Sequence, residues 1–389
     1  DAFMPVLIYV LALAIFAQGT SEFMLAGLLL PISEEFGVSP GSAAALTSAF
    51  AIGMVIGAPA MALLGSRWHP RRTLVAFLLV FVLAHIVGAL APSFAVLLVT
   101  RVVAAIANAG FLAVSLSAVR MLVPPQTTTR AVASLLAGTT LATIAGVPAG
   151  AALADVLGWR ATFWGVVLLC GPALGALLLD RSPLRAGGAT RIELRAELSA
   201  LVRRPVLGTI GVAVLVNAGT FGVFTFLGVI GESAGIETAF VPLLLAAFGI
   251  GAFLGVAATG RWAAARERVW VSSGLVALLL AWMALWMLVE SAAAVFVLSV
   301  VCGALSFAVG SAVIGRIVRE AAGAPVLGGA SATVALNLGA FIGPLLAGAA
   351  HGGVGSPGVL AVAAVLTAVA LVAAAWGLPS VREGGGRIR

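Results

Sequence analysis

The sequence predicts an all-α membrane protein whose twelve transmembrane helices form two pseudo-symmetric six-helix bundles. Three observations carry that expectation. Of 389 residues, 62% are hydrophobic and only 9% charged, against the roughly 45–50% apolar and 25% charged usual for soluble domains. Apolar runs long enough to cross a bilayer recur along the whole chain, and the two halves of the chain share an ordered set of residues. The mean hydropathy of +1.19 leaves no soluble module to fill.

A membrane helix needs about 20 predominantly apolar residues. That length marks spans at 5–31, 43–65, 73–91, 94–119, 131–154, 160–179, 206–231, 239–260, 269–289, 292–315, 327–350 and 357–378. The first has no basic residue ahead of it and carries Gln18, Gly19, Thr20, Ser21 and Glu22 inside, so it reads as a retained span rather than a leader.

Charge tests the count of twelve. The chain has no lysine, and when successive loops alternate between two faces, 19 of the 21 arginines fall on one face. Arg160 alone lies on the other, and Arg101 falls within span four. The arginine-rich face reads as cytoplasmic, with both termini on it. The net charge of +7 therefore reports topology and implies no nucleic-acid partner. Cys170 and Cys302 both lie inside apolar runs, as small buried hydrophobes do.

A polar stretch at 180–205 divides the chain into an N-terminal bundle (1–179) and a C-terminal bundle with a short tail (206–389). Within it Leu194, Leu198 and Leu201 share a helical face, which suits either a helix on the inner leaflet or a solvated linker. Across it, Phe50, Ile52, Gly53 and Gly57 return as Phe248, Ile250, Gly251 and Gly255, each displaced by 198 positions. Gly19-Thr20 returns as Gly219-Thr220, and Arg67-Trp68 as Arg261-Trp262. A repeat of half the chain points to a transporter with its site between two bundles.

Glu22 is the only acid inside a span. A charge at mid-membrane costs about 2.5–3.5 kcal/mol on insertion scales, so such a group marks a proton or substrate site, or else a permanent structural pair. At about 1.5 Å per residue, Glu22 lies roughly 13–14 Å below the face at Pro31, and Arg101 roughly 12 Å below the same face at Ser93. Matched depth makes Arg101 a candidate to tune Glu22. The alternative is an arginine that donates to helix carbonyls and gates that half of the membrane. Asn217 and Asn337 lie near mid-depth in spans seven and eleven, where an amide can bind a neutral ligand or hold helices together. Phe221 and Phe224 beside Asn217 can supply apolar walls. Trp68, Trp159, Trp164, Trp262 and Trp270 fall near span ends, as interfacial anchors do. In span five, Pro148 between Gly146 and Gly150 allows a bend and close packing. No metal cluster, nucleotide loop or nucleophile triad is present in the sequence, so an enzyme or a primary pump is not expected and no cofactor is implied.

The two six-span halves, the basic loop after span two and the central linker resemble the major facilitator superfamily over essentially the whole chain. The stretch from Gly19 to Leu28 is similar to span one of its twelve-span drug:proton antiporters, and Gly146-Val147-Pro148-Ala149-Gly150 to their antiporter motif. Leu46 to Phe50, Arg101 with Ala107 to Ala113, and Gly158 to Trp164 resemble actinobacterial chloramphenicol exporters. The resemblance implies proton-coupled efflux of small amphipathic drugs, phenicols first, by alternating access in a monomer in the bacterial cell membrane. Its proton-coupling residues would be Glu22 and Arg101, and its substrate site Glu22, Asn217, Asn337, Phe221 and Phe224. A sugar or metabolite exporter of the same superfamily and a non-transporting receptor are the alternatives. The superfamily's loop motif is matched by Arg67, Arg71 and Arg72, but Ser66 stands where an aspartate is usual and Pro70 where a glycine is usual. The latch that the aspartate makes would then be formed differently.

Overall fold

The computed structural model describes residues 5–64, 69–124, 127–179, 194–262, 267–324 and 327–377. Arg67 with Ser66, Trp68, Arg266, the linker stretch 180–193 and the arginines beyond residue 377 lie outside the described residues.

Among the described residues, twelve helices are long and apolar enough to cross a membrane: Val6–Gly27, Pro40–Leu64, Pro70–Ala89, Phe94–Val119, Arg130–Leu157, Trp159–Leu179, Arg204–Thr225, Thr238–Trp262, Glu267–Met287, Ala292–Glu320, Leu327–Val354 and Ser356–Ala375. Each coincides with an expected span, and the shifted ends have local causes. Span three begins at Pro70 because proline fits the first turn of a helix, where no N–H is needed. Span five stops at Leu157 because Gly158 takes φ +83°, which favours glycine. Span ten runs on to Glu320, whose carboxylate pairs with Arg316 one turn earlier at 2.7 Å.

Spans one and seven are both interrupted. The regular helix of span one ends at Phe23 and tightens into a turn over Met24–Gly27 before a short helix, Leu29–Phe36. Span seven ends at Thr225, and a second helix, Leu227–Ser233, follows Phe226. The interruptions are about 200 positions apart, like the sequence repeats, and they border the same central space.

Each half has its own apolar core, and the second half's core also takes in Ala26, Leu29, Ala51, Val147 and Ala151 of the first. Span two packs against span eleven, and Ser48 Oγ donates across the boundary to the Phe341 carbonyl at 2.7 Å. Near the arginine-poor ends of these spans Gly41 and Gly348 meet backbone to backbone; a Cβ on Gly41 would lie 2.7 Å from the Gly348 carbonyl oxygen. Span eight packs against the arginine-poor half of span five, while the other half of span five packs on span one.

Arg160, the one basic residue of the arginine-poor face, is fully engaged. It pairs with Glu35 at 2.6 Å, donates to the carbonyls of Ala89 and Ala91, and lies 4.5 Å over the ring of Trp159. Trp159 itself is buried and donates to Glu35 Oε2, so it is not the interfacial anchor its position suggested. Trp262 is exposed, as an anchor is. The linker helix, Leu194–Leu201, turns Leu198 outward and buries Glu197, which accepts from the Leu327 N–H at 2.6 Å. Glu197 thereby caps the start of span eleven, a helix N-terminus that needs acceptors.

Candidate functional site between the two halves

Glu22 occupies the last regular turn of span one, where the interruption at Met24 turns the chain toward the second half. It lines a tight gap of about 10 Å3, room for about one water, together with Phe23, Thr47, Phe50, Phe221, Phe224, Thr225 and Asn337. An adjoining gap, also about 10 Å3, shares Phe23, Phe221 and Phe224, and adds Thr220, Phe248 and Phe307. The walls are mostly aromatic. Phe23 lies edge-on to Phe224, with centroids 6.3 Å apart, and Phe224 lies 5.1 Å from Phe248. The space is closed to a ligand as it stands; a lining of this kind suits a flat, largely apolar molecule with few polar groups once it opens.

Three polar groups besides Glu22 face it. Asn337 uses its Nδ2 to donate to the Thr333 carbonyl at 3.0 Å, which leaves its Oδ1 as an acceptor. The hydroxyls of Thr47 and Thr225 are buried and have no hydrogen-bond partner. These threonines come from opposite halves and were not singled out by the sequence; their signal is tertiary, a hydroxyl with nothing to bind. Asn217, by contrast, lines neither gap. Its Nδ2 donates back to the Ala213 carbonyl at 2.8 Å, and its Cβ packs where Gly339 of span eleven comes close.

Behind Glu22 lies Arg101, 1% exposed. Its Nη1 donates to Ser21 Oγ and its Nη2 to the Ser21 carbonyl, both at 2.8 Å, and the guanidinium carbon sits 4.5 Å from the centre of the Phe50 ring. No carboxylate lies within 4.0 Å of it among the described residues, and its Nε has no partner. The carboxylate of Glu22 is nonetheless within electrostatic reach of Arg101 and of the Asn108 side chain. Arg101 thus does what the second sequence reading allowed, donating to a helix carbonyl, at a place next to the residue it was expected to tune. His85 of span three completes the cluster, with Nε2 2.6 Å from Ser21 Oγ.

Span five supplies the third side. Pro148 has no N–H to give, and the helix immediately before it widens into a π-helical turn over Ala142–Gly146. A Cβ at Gly146 would overlap the Thr20 hydroxyl, so glycine allows span five to press on span one two residues from Glu22. The Gly150 carbonyl accepts from Thr162 Oγ1 of span six at 2.8 Å. On the far side, a Cβ at Gly249 would overlap the Thr143 carbonyl of the π-helical turn, so span eight rests directly on that backbone.

Of the loop arginines, Arg71 donates from Nε to the Leu177 carbonyl at 3.0 Å and from Nη2 to that of Leu178 at 2.5 Å, closing the end of span six. Arg72 is exposed. A vestibule of about 270 Å3 lies on the arginine-poor face between spans one, five, seven and eight, with Glu34, Asp155 and Glu232 on its walls.

Residues 11–323 match the family described as the Major Facilitator Superfamily. The chain belongs to that superfamily. Among its relatives, a "Chloramphenicol resistance protein" of Streptomyces lividans is 47% identical over 377 residues, 95% of this chain and 96% of that protein. The "Inner membrane transport protein YdhP" of Escherichia coli (strain K12) is 32% identical over 350 residues, 90% of this chain and 88% of that one. In three dimensions the chain is similar to a bacterial homolog of the human lysosomal transporter Spinster, solved in an inward-facing and unoccupied conformation. The TM-score is 0.69 at 18% identity, covering 96% of this chain and 94% of that one. That likeness carries the superfamily fold, including the two six-span bundles around a central space.

Proposed function

We propose that this superfamily member exports small neutral amphipathic drugs, phenicols first, in exchange for protons. The observation that carries the reading is the half-buried Glu22 carboxyl at an aromatic gap between the halves, beside an arginine that has no ion-pair partner among the described residues. The similarity to a protein named for chloramphenicol resistance supports the choice of substrate. The arginine-rich face is cytoplasmic by the positive-inside rule, both termini lie on that side, and the monomer works in the bacterial cell membrane.

Arginine keeps its charge throughout, so Glu22 is the group that changes state. In this reading the bonds from Arg101 to Ser21 belong to the state in which Glu22 holds a proton. Once Glu22 releases the proton toward the cytoplasm, its carboxylate and Arg101 attract each other across a low dielectric. That attraction pulls on the last turn of span one, where the chain already departs from regular helix. The drug fills the gap against Phe221, Phe224 and Phe23, with Thr47, Thr225 and the Asn337 Oδ1 available for its hydroxyl, amide or nitro groups. Asn217, placed behind the wall, acts through the packing of spans seven and eleven.

The deciding experiment is accumulation of labelled chloramphenicol by cells that make the protein, with and without an uncoupler. Lower accumulation that the uncoupler abolishes is expected. Equal accumulation in cells with and without the protein would refute the substrate, and efflux indifferent to the uncoupler would refute the coupling.

A further inference from the structure

His85 sits on span three, 1% exposed, and every polar atom of its ring is used. Nδ1 lies 2.8 Å from the Phe81 carbonyl, an oxygen that only accepts, so Nδ1 carries the hydrogen. In the neutral ring Nε2 is then a lone pair. It lies 2.6 Å from Ser21 Oγ, which is already accepting from Arg101 Nη1, so the serine hydrogen points at the histidine. The direction of the whole chain is set: Arg101 donates to Ser21, Ser21 donates to His85, and His85 donates to the backbone of its own helix.

A doubly protonated His85 would break this order. Both ring nitrogens would donate, Ser21 Oγ would receive two hydrogens, and its own would be left without an acceptor. Two cations would also be separated by a single hydroxyl. The groups shown against the ring include no anion among the described residues: span one presents Ser21, span four Arg101, its own helix Phe81 and span six Phe163. His85 is therefore held as the neutral Nδ1–H tautomer.

We infer that His85 is a positioning residue for proton coupling: by accepting the Ser21 hydrogen it keeps the Ser21 oxygen turned toward Arg101 and so parks the guanidinium on span one, one residue from Glu22. The inference rests on the reading of Glu22 as the proton carrier. Without the histidine acceptor, the Ser21 hydroxyl rotates freely and its hydrogen competes with Arg101 for the same space. Arg101 then keeps its bond to the Ser21 carbonyl but loses a fixed partner for Nη1, so it is freer to turn toward Glu22 throughout the cycle, and a cation at hand favours the ionised carboxyl.

Two substitutions separate the ring's two bonds. In His85→Gln the longer amide carries its oxygen to the place of Nε2 and keeps the Ser21 bond. In His85→Asn the shorter amide reaches only the Phe81 carbonyl, so the Ser21 bond is lost. The pH profile of uncoupler-sensitive chloramphenicol efflux is expected to match wild type for Gln, and to move toward acid by about half a unit or more for Asn. A purely structural histidine would lower the amount of folded transporter in both variants and leave both profiles in place, and that outcome overturns the inference. A Gln profile displaced as far as that of Asn overturns it too.

A second readout does not depend on the drug. Nitrogen-15 NMR of the ring in the drug-free transporter is expected to show a neutral Nδ1–H tautomer whose Nε2 resonance moves in Ser21→Ala. A ring protonated on Nε2, or one indifferent to Ser21→Ala, overturns the inference. If wild type fails to export phenicols at all, the proposed substrate falls while this measurement still decides the role of His85.

Discussion

Phe23 of span one and Phe221 of span seven stack across the boundary between the halves, their centroids 5.9 Å apart and their planes within 19° of parallel. The repeat displacement of 200 seen at Gly19-Thr20 puts the counterpart of Phe23 two positions from Phe221, so the stack stands beside the pseudo-twofold axis. A contact there must open whenever the halves rock apart, and the same two faces are then free for a flat ligand.

Phe221→Ala removes one of those faces. With an aromatic pair worth about 0.5–1.5 kcal/mol beyond its buried area, the drug concentration for half-maximal efflux should rise about 2- to 12-fold. Transport assays in membrane vesicles measure it, and an unchanged value would move the ligand away from the stack.

Glu22→Gln keeps the shape and hydrogen-bonding reach of the side chain but cannot titrate. Drug binding should survive in part while uncoupler-sensitive efflux is lost. In wild type, one proton inward against one neutral phenicol outward moves one positive charge, worth about 2.3 kcal/mol per 100 mV. In proteoliposomes of known orientation a potassium-diffusion potential alone should therefore drive the drug in wild type and not in the variant. Insensitivity of wild type to the potential would make the exchange electroneutral and end the one-carboxyl scheme.

The lengths and order of the spans were legible in the sequence because each apolar run is set by bilayer thickness, whatever it packs against. Depth was legible for the same reason, which is why Glu22 and Arg101 could be put at one level. What Arg101 holds was not, since a guanidinium on a flexible stem reaches several partners from one backbone position and Ser21 is an unremarkable residue in any alphabet of motifs. His85 lies 64 positions from Ser21 on another helix, with no spacing to join them. Two asparagines at mid-depth looked alike; which of them meets the gap depends on helix rotation, settled by glycine contacts such as Gly339 against span seven. The tie of the linker helix to span eleven was not legible, because the N–H that Glu197 accepts from lies 130 positions away.

Gly249→Val places a branched side chain against the Thr143 and Ile144 backbone. Overpacking of this kind costs about 1–3 kcal/mol, and the strain is relieved if spans five and eight part on the arginine-poor face. A cysteine introduced for Ala151, a buried residue on the vestibule wall, should then react about 5- to 150-fold faster with a membrane-impermeant maleimide. Equal labelling with and without the valine would mean that this contact does not seal the face.

Glu232, on the vestibule wall outside the membrane spans, is held above the ordinary carboxylate range by burial and by the like charge of Glu34, against the opposing pull of the Thr238 hydroxyl. A carboxyl that keeps its proton more tightly in the folded state favours folding fully below its unfolded value, and that contribution is lost as pH rises through the folded one. Glu232→Gln should be more heat-stable than wild type at neutral pH and indistinguishable from it near pH 4. Solvent screening at this half-open position keeps the gain below about 1 kcal/mol and makes it fade with salt. Thermal unfolding of the solubilised protein at two pH values and two ionic strengths checks it; a gain that persists near pH 4 would assign the effect to something other than charge.

Gly41 and Gly348 bring spans two and eleven together with no side chain between them. Interlocked side chains act as teeth, and turning one helix on another means lifting each tooth from its socket. Bare backbone has no teeth: rotation there trades one set of weak contacts, each about 0.1–0.2 kcal/mol per atom pair, for another of nearly equal depth. This bare backbone contact between the halves is thus a smooth one, a bearing about which the two bundles can swivel without friction from rotamers.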